Sequence, residues 1–213
     1  MMAVKKVTQN SKPSKLYGII VIVLGAIFLP IIILFMIVQV NHANSLINMP
    51  EPAAGLKAFP AIETDNLSDT QKRMITILQN EHATQPAGTK YTEGANETWC
   101  ADFVSWVMKE SGAPLLNKEN GSWRIDDTPP LLEYYKSAGL FEEAGSGYSP
   151  KLGDIALYRK PSTFGSHVNI VIKNNNGTIA SVGGNESNSI RIREYTPAND
   201  DFFLGYGKLP NTL

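Results

Sequence analysis

The stretch ETWCADFVSWV, Glu97 to Val107, holds the only cysteine among 213 residues. A free cysteine before an apolar run is either a small buried hydrophobe or a nucleophile to which the fold brings a histidine. Phe103, Val104, Val107 and Met108 fall at helical spacing, and Gly112 followed by Pro114 ends the pattern. A helix therefore begins at or just before Cys100. At that position the thiol meets N–H groups without intrahelical acceptors and the positive end of the helix dipole, both of which favour a thiolate.

Outward from this helix the chain separates into regions of different composition. Leu16 to Val38 carries no charged residue. At helical rise this run reaches roughly 35 Å, enough to cross a bilayer core and longer than the apolar region of a secretory leader. Lys5, Lys6, Lys12 and Lys15 precede it, and no acidic residue occurs before Glu51. Positive residues stay inside, so the chain reads as a cytoplasmic N-terminus (1–15), a transmembrane anchor (16–40) and an extracytoplasmic remainder. Residues 41–66, with Pro50, Pro52 and Pro60 and no sustained periodicity, read as a linker. A folded domain follows over 67–213. A net charge of −1 without further basic clusters argues against nucleic acid as a partner. Outside the cell a lone cysteine forms no disulfide within its chain and is exposed to oxidation. That exposure favours a chemical role for Cys100.

The domain opens with SDTQ, a capping-box pattern at Ser68 and Gln71, before the apolar face of Met74, Ile75, Ile77 and Leu78. PPLLEYYKSAG predicts a third helix. Beyond Tyr148 the pattern changes to the short segments GDIALY, HVNIVI, TIASV, SIRIREY and DFFLGYGKL, separated by Gly, Pro or Asn. Helices first and strands later predict an α+β fold with a mostly antiparallel sheet.

Of the three histidines, His42 falls in the linker and His82 ends the first helix, near its last carbonyls. His167 differs. In HVNIVI, Val168, Ile170 and Ile172 point to the core, which leaves His167 and Asn169 on the other face of a half-buried sheet. The turn NNNG, Asn174 to Gly177, predicts a hairpin that sets His167 opposite residues 184–186: Gly184, Asn185 and Glu186. Asn185 or Glu186, according to a one-residue register, then orients the imidazole. Nucleophile, base and orienting group form an activated-nucleophile arrangement.

WCADFVSWVMKESG, PKLGDIALY, SHVNIVI with GTIASVGGN, and FLGYGKLP, in that order, resemble the CHAP family of cysteine, histidine-dependent amidohydrolases and peptidases. The resemblance covers about residues 70–210. It implies a papain-like fold, with helices packed on an antiparallel sheet, and cleavage of amide bonds in peptidoglycan. Carried over by position, it implies Cys100 as nucleophile, His167 as base and Asn185 as the orienting group. Some relatives place a glutamate two residues before that asparagine, where this chain has Gly183. Tyr91 is the candidate for a side-chain oxyanion donor, the alternative being a tyrosine packed against the domain edge. Trp99 is the candidate substrate contact.

YTEGANETWC lacks the alternating aspartates of a calcium loop, and the cysteine and histidines have no zinc spacing, so no metal or cofactor is expected. The resulting expectation is a membrane-anchored peptidoglycan amidase or endopeptidase. Its partners are the wall and the bilayer, with a looser analogy to wall-opening components of conjugative secretion systems. The rival is a wall-binding or scaffolding module of a membrane secretion complex that has lost turnover. The intact Cys100, His167 and Asn185 set argues against it.

Overall fold

The computed structural model describes residues 28–34, 36–37, 55–160 and 165–210. The chain divides into two compact units, 1–49 and 50–213. In the first, residues 28–34 and 36–37 are helical. The rest of the span expected over 16–40 lies outside the described residues, as do residues 1–15 and 41–54. Among the described residues no helix is long and apolar enough to cross a membrane.

In the second unit, helix α1 (Asp69–Thr84) starts at the expected capping box. Ser68 Oγ accepts from the Gln71 N–H at 3.2 Å, and Gln71 Oε1 accepts from the Ser68 N–H at 3.0 Å. Met74, Ile75 and Leu78 form its buried face. Helix α2 (Cys100–Ser111) begins at the cysteine and ends at Gly112, whose φ of 90° is the left-handed conformation that glycine adopts without a Cβ penalty. Helix α3 (Thr128–Ser137) is capped by Asp127, whose Oδ1 accepts from the Thr128 N–H.

The proline-rich stretch read as a linker continues onto this unit at its far end. Phe59 and Ile62 pack against the core and Lys57 pairs with Glu194 at 2.8 Å, so the boundary expected at residue 66 is too late. Prolines disrupt periodicity but do not stop the apolar residues between them from anchoring.

Six antiparallel strands follow: β1 (Phe141–Glu143), β2 (Ile155–Tyr158), β3 (His167–Asn175), β4 (Thr178–Gly183), β5 (Arg191–Tyr195) and β6 (Phe203–Gly207). Their order in the sheet is β1-β6-β2-β3-β4-β5. The last five are the expected strands. β1 carries only three residues and exists because β6 pairs with it. A Cβ at Gly205, φ 142°, would collide with the Glu142 carbonyl, so this edge closes only over glycine.

Helix α2 packs on β3 and β4 and against α1. Phe103, Val104, Val107 and Met108 meet Val168, Ile170, Ile172 and Val182 in the main core. Each fully buried side chain of this kind contributes roughly 1.5–3 kcal/mol. The sheet is not half-buried, as the alternation implied. Its second face carries Ala156, Tyr158, Val171, Ile179, Phe203 and Tyr206, and the first six residues of β3 are all buried. Aromatic side chains cover that face, which period-two counting reads as polar.

Candidate active site

Cys100 is the first residue of α2 and His167 the first of β3. Both line one cleft of about 570 Å³ together with Thr98, Asp127, Ser166 and Asn185. The main core holds the body of α2 against β3 and β4, and this packing brings the helix start to the strand start. His167 is 5% exposed, which leaves an edge of the ring to the cleft. Burial alone would lower its pKa. Polar interaction with Cys100 and Glu186, and the charges of both, outweigh burial and hold it up at about 9. A larger hollow of about 660 Å³ beside Tyr148 and Leu209 offers no comparable chemistry. Its Asp154 carboxylate is already committed to the Tyr148 hydroxyl and to the N–H groups of Lys151 and Leu209.

The hairpin forms as expected, with Asn176 and Gly177 both at positive φ (51° and 93°) in a two-residue loop. A bulge between Val171 and Lys173 then shifts the pairing by one residue. The last β3–β4 pair toward the site is Ile170 with Val182, and β4 ends at Gly183. Asn185, φ 59°, Ser187, φ 54°, and Asn188, φ 58°, turn the chain sharply. Register therefore stops deciding side-chain direction just where the choice between Asn185 and Glu186 is made. The structure places Glu186 at the ring: its Oε1 lies 3.6 Å from His167 Nε2. Asn185 sits on the cleft wall. The residue expected at that nitrogen was Asn185.

Glu186 is 7% exposed and well anchored. Its Oε1 accepts from Asn169 Nδ2 at 3.2 Å, its Oε2 accepts from Arg193 Nε, and its carbonyl accepts from Arg191 Nε at 3.0 Å. Asn169 was visible in the sequence as the neighbour of His167 on its face. Arg193 carried no local signal, because only the β4–β5 pairing brings it to the site.

Two further expectations are corrected. Tyr91 is fully buried, stacked on Trp99 at 5.3 Å, and its hydroxyl donates to Glu81 Oε2 at 2.6 Å. That hydroxyl is spent on a buried carboxylate and is no oxyanion donor. Trp99 is 3% exposed, lies beneath Gly88 and Gly184, and donates through Nε1 to Asn188 Oδ1 at 3.3 Å. It holds the Glu186 turn against α2 and does not face substrate. Asp102 has a structural role. It is fully buried and accepts from Arg124 Nε at 2.6 Å. Burial lifts its pKa to about 6 against the opposing pull of Arg124.

A thiol at a helix start, an imidazole on the same cleft and a carboxylate behind the ring make the arrangement that an activated cysteine nucleophile uses. Residues 90–185 match the family model of the CHAP domain, so this part of the chain is a CHAP domain, and its helices on an antiparallel sheet fit the papain-like form. The match includes Cys100 and His167 and ends one residue before Glu186. CHAP domains are typically cysteine-dependent amidohydrolases and point to peptidoglycan as substrate. No curated protein matches the chain.

Proposed function

We propose that the chain is a membrane-anchored peptidoglycan hydrolase that cleaves an amide bond of the wall peptide through Cys100 and His167. The observation that carries this reading is the convergence of α2 and β3 on one cleft, with the thiol and the imidazole both lining it. The Cys100 sulfur, its proton held by His167, attacks the peptide carbonyl carbon. The tetrahedral intermediate collapses as His167 gives its proton to the departing amine, which leaves a thioester on Cys100. Water then adds to the thioester, with His167 taking its proton, and releases the carboxylic acid and the free thiol. Backbone N–H groups at the start of α2 have no intrahelical acceptor and supply oxyanion stabilisation.

The charge-free run over 16–38 supports the anchor, and the lysines before it support an external domain. Tethering confines cleavage to wall near the membrane. That confinement suits local opening of the wall at a membrane secretion complex better than lysis.

The test is digestion of purified peptidoglycan with the full-length chain, with mass spectrometry of the released fragments. New free amines and carboxylates on the peptide support the reading, and their position tells amidase from endopeptidase. Wall binding without any new terminus would overturn it in favour of a scaffolding module.

A further inference from the structure

We infer that Gly183 and Glu186 are a coupled pair: the side chain missing from the end of β4 is the seat of a carboxylate delivered from the following turn, and that carboxylate positions the His167 ring. The inference rests on His167 acting as the base for Cys100.

A Cβ built on Gly183 would lie 2.5 Å from Glu186 Oε1, 3.0 Å from His167 Nε2 and 3.2 Å from Asn169 Nδ2. Position 183 therefore points straight at the far nitrogen of the ring. Gly183 does not have the positive φ that would call for glycine on backbone grounds. Space calls for it instead, and what fills the space is the Glu186 carboxylate. The neighbouring Gly184 has a different reason, since a Cβ there would meet Phe103 and Trp99 at 2.6–2.7 Å.

The carboxylate is fixed from both sides. Arg193 takes Oε2 and Asn169 shares Oε1, so Oε1 is held facing Nε2 at 3.6 Å. Catalytic hydrogen bonds are often this long before substrate binds. The charge on Glu186 is one of the causes that hold the ring in its protonated form. The other charged or titratable groups around the ring are Cys100 from α2 and, along the cleft, Asp127 and Lys160. Arg193 of β5 stands beyond Glu186.

Cys100 is the sole cysteine, so alkylation of the full-length chain by iodoacetamide reports on this thiol alone. Its rate against pH gives an upper inflection where the imidazolium loses its proton. His167→Ala is expected to abolish that inflection. If it does not, the thiol–imidazole reading itself fails, whatever Glu186 does. With that control in place, Glu186→Gln keeps the shape of the side chain and removes its charge. It is expected to lower the inflection by about one pH unit or more and to reduce kcat on wall fragments with KM nearly unchanged. Gly183→Ala, which keeps Glu186 but fills its seat, is expected to do the same.

The decisive variant moves the carboxylate. The 2.5 Å from Cβ to Oε1 is close to the Cβ-to-oxygen distance inside an aspartate, so aspartate at 183 sets its own oxygen where Oε1 now lies. The pair Gly183→Asp with Glu186→Ala is expected to recover the inflection and most of the kcat lost in Glu186→Ala. Circular dichroism checks each fold, and Glu186→Gln decides alone if the Ala variants do not fold. An inflection unmoved in Glu186→Gln, or a Gly183→Ala protein that behaves like the parent, would overturn the inference.

Discussion

Cys100 opens α2, His167 opens β3, and their side chains line one cleft where the two elements meet. Burial alone would make the thiol a structural residue: it is largely buried and follows a buried tryptophan. The contact with His167 is what separates a nucleophile from a packed cysteine. Cys100→Ala removes only the sulfur at a helix start, so the fold is expected to persist while wall hydrolysis drops by more than about a thousandfold. Release of wall fragments, set beside an unchanged circular dichroism spectrum, checks it. Undiminished release would remove the cysteine mechanism.

The pH dependence follows from the same contact. The His167 pKa is raised from 6.5 to about 9, so the folded protein holds a proton there that the unfolded chain has given up. A raised pKa contributes stability that is fully present below 6.5 and is lost as pH rises through about 9. Hydrolysis is expected to fall over the same alkaline limb, as the ring loses the proton it must give to the leaving amine. Thermal melts and rates between pH 6 and 10 check both. A His167→Ala protein whose stability falls with pH as steeply as the parent's would count against the assignment.

The start of α2, the hairpin and the face of β3 that carries His167 were legible because each rests on local pattern: helical spacing to Gly112, the turn at Asn176–Gly177, and alternation through Ile172. The identity of the third group was not. A bulge at Val171/Lys173 and the left-handed residues Asn185, Ser187 and Asn188 interrupt the regular pairing around the site, and neither leaves a periodic trace. Tyr91 and Trp99 were misread for a related reason. Proximity in sequence to Cys100 says nothing of burial, which here comes from Glu81, Phe103 and Gly184. Strand β1 exists only through its partner.

Membrane topology gives a separate expectation. With lysines before the apolar run and none close after it, the domain is expected to face outward. Protease added to spheroplasts carrying the chain is expected to remove the part beyond about residue 41 without permeabilisation. Protection until the membrane is opened would reverse the orientation and put the wall out of reach.

Tyr91 separates the oxyanion role from the structural one. Its hydroxyl donates to Glu81, a carboxylate only 2% exposed that also pairs with Lys90 at 2.7 Å. Tyr91→Phe leaves that carboxylate one donor short in a buried place. The expected result is a loss of about 1–3 kcal/mol of stability with kcat unchanged. Denaturant melts and single-turnover rates distinguish the outcomes. A normal melt with a kcat lowered a hundredfold would restore Tyr91 to the oxyanion site.

His82 sets the acid limit. It lies in the last turn of α1, 1% exposed, with the Phe59 ring edge-on at 6.1 Å and its Nε2 buried without a hydrogen-bond partner. Burial lowers its pKa below 6.5, so the folded protein keeps the ring neutral while the unfolded chain protonates it. A lowered histidine pKa costs nothing above 6.5, and stability is lost as pH falls below that value, with a slope of at most about 1.4 kcal/mol per pH unit for one proton. Asp102 runs the other way. Its pKa is lifted to about 6 by burial, so the folded state gains on the unfolded as that carboxyl takes its proton below pH 6. The measurement must therefore be a difference. Denaturant melts of the parent and of His82→Leu between pH 4.5 and 7.5 share the Asp102 contribution, and their gap isolates the histidine. The gap is expected to widen in favour of His82→Leu as pH falls below 6.5, and two curves that stay parallel would show that the folded protein accepts a proton on His82 after all.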